Sequence, residues 1–69
     1  MKPLTPREFE GVLRRFGWVL VHRKGSHRCW RGPDGSSTVV AAHGNAPFKQ
    51  GVQLAMIRQT GIPRDEFLK

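Results

Sequence analysis

The sequence predicts an α+β fold of order αβββα: a three-stranded antiparallel sheet with two helices packed on one face. Three observations lead there. Apolar residues recur at helical spacing over 9–16 and again over 50–60. Between these segments the apolar period falls to two, with β-branched and aromatic residues enriched. The strand-like segments are joined by short glycine-containing turns, which favour an antiparallel meander.

Thr5-Pro6-Arg7-Glu8 reads as a helix start. Thr5 can cap, Pro6 suits the first helical position, and Glu8 completes a capping box. Phe9, Val12, Leu13 and Phe16 then form one apolar stripe, and Gly17 closes the helix as a left-handed cap. Arg14 and Arg15 fall in its last turn, where cations favour the helix dipole. Trp18–Arg23 reads as the first strand, Lys24-Gly25-Ser26 as a turn, and His27–Arg31 as the return strand. Gly32-Pro33-Asp34-Gly35 is a second turn, and Ser37–Ala42 a third strand ending at His43. After a loop over 44–49, a second helix is expected from Gln50 or Gly51 to Thr60. Val52, Ala55, Met56 and Gln59 would form its inner face, with Leu54 and Ile57 widening it. Gly61 and Pro63 stop it, and Arg64–Leu68 can make one further turn.

Sixty-nine residues make a single domain, 1–69, near the lower size limit for a core-stabilised fold. The one cysteine, Cys29, excludes an intrachain disulfide and is expected as a small buried apolar residue. No segment has the roughly 20 apolar residues of a membrane span. The N-terminus lacks the apolar run of a signal peptide, so a cytoplasmic location is expected. Twelve Lys and Arg against five Asp and Glu give a net charge of +7. Between Gly11 and Pro33 lie six cations and no acid. Such a one-sign field concentrates a polyanion, nucleic acid first and an acidic protein second.

Arg23-Lys24-Gly25-Ser26-His27-Arg28 is the segment richest in chemistry. A tight Gly-Ser turn can hold an imidazole in solvent between cations that dock phosphate. RNA carries its own nucleophile, the 2′-hydroxyl, so one acid/base group and some cations suffice for cleavage. His27 is the catalytic candidate, and Arg23, Lys24, Ser26, Arg28, Arg31 and Lys49 are the candidates for RNA binding. His43, at the end of the third strand, is a candidate second acid/base able to approach His27 across the sheet. His22 reads as a cross-strand surface residue. His22, His27, Cys29 and His43 lack the paired spacing of a structural zinc site, so no metal and no cofactor is expected. Arg28 and Trp30 share one strand face; His27, Cys29 and Arg31 share the other. Trp30 is expected in the core, with base stacking as the alternative.

These residues together resemble the HicA-type mRNA interferase toxins of toxin–antitoxin pairs. The resemblance rests on Phe16-Gly17-Trp18, on Arg23-Lys24-Gly25-Ser26-His27 and on the strand ending in His43. Lys49-Gln50-Gly51-Val52, Ile57-Arg58-Gln59-Thr60-Gly61-Ile62 and Asp65-Glu66-Phe67 continue it. It implies a double-stranded-RNA-binding-like fold and a ribosome-independent endoribonuclease that cleaves mRNA and stops translation. It also implies His27 as the catalytic histidine and a HicB-type antitoxin that covers it. The expected state is a monomer when free and a higher-order complex with the antitoxin. The chain departs from the family pattern at Ala41, where a proline is usual, and at Val52, where a threonine is usual. Two alternatives remain open: a non-catalytic RNA-binding module of the same fold, and a subunit whose basic face docks an acidic protein.

Overall fold

The computed structural model describes residues 1–68. Helix α1 (Pro6–Arg15) is followed by strands β1 (Val19–Lys24), β2 (His27–Arg31) and β3 (Ser37–Ala41). Helix α2 (Gln50–Thr60) and a 3₁₀ turn (Arg64–Phe67) complete the chain. The strands form one antiparallel sheet in the order β1-β2-β3. The αβββα order and the antiparallel meander are those expected from the sequence. No helix among the described residues is long and apolar enough to cross a membrane.

The start of α1 is fixed locally. Glu8 N–H donates to Thr5 Oγ1 at 3.2 Å, and Thr5 N–H donates to Glu8 Oε1 at 2.9 Å, satisfying two otherwise orphan donors. That second bond holds the Glu8 carboxyl below its usual pKa of 4.5. The helix then buries Phe9, Val12 and Leu13. Phe9 lies at the centre of the core, 4.9 Å from the Phe67 ring and edge-on to Phe48 at 5.8 Å. Phe16 was expected on this stripe but is the C-cap residue and 36% exposed, because the chain leaves the helix there.

Helix α2 differs from expectation in its face. Gln53, Met56, Ile57 and Thr60 are buried, whereas Val52 is 52% exposed and Ala55 and Gln59 are exposed. The reason is Gln53. Its Oε1 accepts from Leu4 N–H at 2.6 Å and its Nε2 donates to the Lys2 carbonyl at 3.0 Å. A fully buried amide with both ends satisfied tethers the N-terminal segment to α2, and it rotates the buried stripe by one residue. Trp30 is in the core as expected, 1% exposed, and Trp18 joins it at 5%. Gly32 packs directly under Trp18, where an added Cβ would lie 2.7 Å from the indole ring. Cys29 corrects its expectation: it is half-buried on the sheet face away from Trp30, paired with His22 and Val39.

The cap generates a prediction with a defined sign. A carboxyl whose folded pKa is depressed stabilises above its unfolded value and loses that contribution as pH falls through the folded one. Thr5→Ala should lower stability by about 1 kcal/mol at neutral pH in a denaturant titration. Glu8→Gln should be less stable than wild type at neutral pH and indistinguishable from it well below pH 4.5.

Candidate active site

The β1–β2 hairpin presents His27. Lys24 and His27 are partners across a two-residue turn, Gly25-Ser26. Gly25 has φ 56° while Ser26 stays at negative φ, the combination of a type II′ hairpin turn. Its first central position needs glycine, because a side chain there would be strained. The turn is tied to the sheet's far strand by Ala42 N–H donating to the Ser26 carbonyl at 2.8 Å. His27 is exposed, and among the described residues its imidazole makes no hydrogen bond or ion pair.

Strand register divides the basic segment between two faces. Val40 and Trp30 mark the face under the helices, and Arg23 and Arg28 pair on that same face. Lys24, His27 and Ala41 line up on the open face, beside the row His22, Cys29, Val39. A bulge between Leu20 and His22 sets this alternation, since it inserts one residue into β1. Lys24 is the cation placed with His27, its Cβ roughly 5 Å away for a directly opposed pair. Arg31 shares the face but stands four residues along the strand, roughly 13 Å from His27. Ser26 lines a small cleft with Arg23 and Arg28.

His43 lies elsewhere. Ala41, not His43, is opposite His27, so His43 is carried past the end of the sheet onto the following loop. There it shares a cleft with Lys49, the residue before α2. The structure therefore groups Lys49 with His43 and brings neither into hydrogen-bonding contact with His27. Ala41 and Val52 line this same cleft with Phe48 between them in sequence, so the two departures from the family pattern are neighbours in space. Among the described residues, no group of three or more His, Cys, Asp or Glu side chains is placed to hold a metal ion.

Arg28 has a partner that the sequence reading missed. Glu10 on α1 is 3% exposed, and its Oε2 accepts from Trp30 Nε1 at 2.8 Å. The same oxygen lies 3.0 Å from Arg28 Nε, a close ion pair without hydrogen-bond alignment. Arg14 sits over the Trp30 ring at 5.0 Å, a cation–π contact. Glu10 and Arg14 are four residues apart, hence on one side of α1. Of the two acids between Arg7 and Arg14, Glu8 is taken by the cap, and the remaining one, Glu10, on a helix facing a basic strand is the signal that would have found it.

The chain is thus a basic αβββα domain with an exposed histidine on a two-residue hairpin turn and cations on both sheet faces. The family model for the HicA toxin of bacterial toxin–antitoxin systems matches residues 6–62. The chain belongs to that family, and its fold is the α+β, double-stranded-RNA-binding-like fold expected from the resemblance. As the toxin member of a toxin–antitoxin pair, it has an antitoxin partner. No curated protein matches the chain.

Glu10→Ala would leave the Trp30 N–H without its acceptor and Arg28 without its ion. It should cost about 2–3 kcal/mol in denaturant unfolding, with a changed Trp fluorescence emission in the folded state.

Proposed function

We propose that this toxin is a ribosome-independent endoribonuclease that cleaves mRNA by attack of the RNA's own 2′-hydroxyl, with His27 as general acid/base. The observation that carries the reading is the exposed His27 imidazole, without a hydrogen bond among the described residues, on a hairpin turn that also places Lys24 beside it. The family membership supports the same reading.

The reaction balances without any further nucleophile. The 2′-oxygen attacks phosphorus and loses its proton, the bond from phosphorus to the 5′-oxygen breaks, and that oxygen takes up a proton. The products are a 2′,3′-cyclic phosphate and a free 5′-hydroxyl. His27 serves one of the two proton transfers and water the other; His43, on the loop after β3, is the alternative donor or acceptor for the second. The Lys24 ammonium stabilises charge on the non-bridging oxygens as the phosphorane forms. Because the RNA supplies the nucleophile, no step needs a metal ion. Translation stops because message is cut, and the antitoxin restrains the toxin by covering His27.

The lack of an orienting partner on His27 among the described residues favours a second reading, a non-catalytic RNA-binding module. The two separate cleanly. In the nuclease reading, His27→Ala lowers RNA cleavage by about 10²–10⁴-fold. Excess EDTA leaves wild-type cleavage intact, and an all-deoxy strand of the same sequence is not cut. In the binding-module reading, His27→Ala retains the wild-type effect on growth and on reporter mRNA when induced in a bacterial host. Loss of wild-type cleavage in EDTA would overturn the metal-independent mechanism.

A further inference from the structure

Two adjoining clefts on the helix side of the sheet point to a second site. One, of 370 Å³, is lined by Arg7, Glu10 and Arg14 of α1 together with Arg28 and the loop at Gly44-Asn45. The other, of 210 Å³, is lined by Arg23, Gly25, Ser26 and Arg28, again with Gly44. Arg28 and Gly44 belong to both, so the clefts meet end to end and lead to the turn that presents His27.

The electrostatics of this strip are not balanced within the chain. Four guanidiniums face one carboxylate, Glu10, a local charge of 4 − 1 = +3. Arg23 and Arg28 are a directly opposed cross-strand pair of like charge, an arrangement that destabilises a sheet. Glu10 lies against Arg28 and, among the described residues, leaves Arg23 without a counter-ion in the strip. A fold of this size gains nothing from that repulsion unless an anion relieves it. Arg7 and Arg14 are two helical turns apart, roughly 10 Å along α1, so one phosphate cannot serve both. The ligand that fits is a chain of regularly spaced anions. Glu10 acts here as a positioning residue: itself held by the buried Trp30 indole, it pairs directly with Arg28 at the junction of the two clefts.

We propose that Arg7, Arg14, Arg28 and Arg23 form a phosphate-binding lane that holds the RNA backbone flanking the scissile bond as it passes round the Gly25-Ser26 turn toward His27. The proposal rests on the RNA-directed reading of the open face and adds to it a sequence-independent hold on the opposite face. Its contacts are to phosphates, so it contributes affinity and register rather than base preference.

The test measures binding of a single-stranded RNA oligonucleotide to the uncleaving His27→Ala protein as a function of salt. Each phosphate neutralised on a single strand contributes about 0.7 to the slope of log K against log salt. Arg7→Gln with Arg23→Gln, both at exposed positions, should lower the slope by roughly 1.4. Arg58→Gln with Arg64→Gln removes the same charge from a separate cleft beside Ile62 and Pro63 and should lower it less. Unchanged melting temperatures confirm that both pairs are folded. Equal losses from the two pairs would overturn the lane in favour of a diffuse field, leaving the nuclease reading standing. Unchanged RNA binding by the lane pair, with loss of binding to poly-glutamate, would overturn it in favour of an acidic protein surface. If the His27→Ala protein binds no RNA at all, the lane and the RNA-directed reading fall together.

Discussion

The Glu10 carboxylate is the constraint on which the arrangement depends. It is buried between α1 and the central strand, and it is shared by Trp30 Nε1 and Arg28 Nε. An isolated buried carboxylate is costly, so its presence requires the Trp30 donor and the Arg28 counter-charge. Through Trp30 it fixes α1 over the middle of the sheet, and through Arg28 it reaches the strip of cations beside the hairpin. The apolar core around Phe9 supplies most of the burial, but apolar contact is non-directional. The Glu10 contacts give the helix its position on the sheet.

With that position fixed, the rest of the architecture follows from the element order. Two short helices cover one face of a three-stranded sheet, and among the described residues no element covers the other. The uncovered face carries Val19, Val39, the half-buried Cys29 and the row Lys24, His27, Ala41. His27 therefore makes no demand on the core. Its exposure comes from topology, and its position comes from the Gly25 turn and the Ala42–Ser26 bond that ties the turn to β3.

Much of this was legible in the sequence because it rests on local rules. The capping box at Thr5 and Glu8, the glycine turns and the period-two strands each depend on neighbours along the chain. The split of Arg28 and Trp30 from His27, Cys29 and Arg31 was also legible, since alternation within β2 needs no long-range information. What the sequence did not disclose depends on contacts far apart in the chain. Gln53 reads as a surface residue until Lys2 and Leu4 are seen to bond its amide, and this turned the α2 face away from Val52 and Ala55. Glu10 reads as a solvated acid until Trp30, twenty residues on, is seen to donate to it. The bulge in β1 had no signature in a run of residues that all suit a strand.

The division of cations between faces has a mechanistic consequence. A basic segment read along the chain suggests one crowded phosphate site around His27, in which four or five cations surround a single scissile group. The register instead leaves His27 with Lys24 and sends Arg23 and Arg28 to the opposite face. Charge that lies on the far side of a sheet contributes little to a transition state, because its interaction hardly changes as the phosphorane forms. It does raise affinity for the strand as a whole, since backbone phosphates are bound equally before and after reaction. In the proposed nuclease reading, chemistry and substrate retention are carried by different faces of the same hairpin, joined by the two-residue turn. In that reading the turn is where the polynucleotide bends to engage both, and Gly25 is the position in it at which a side chain would be strained.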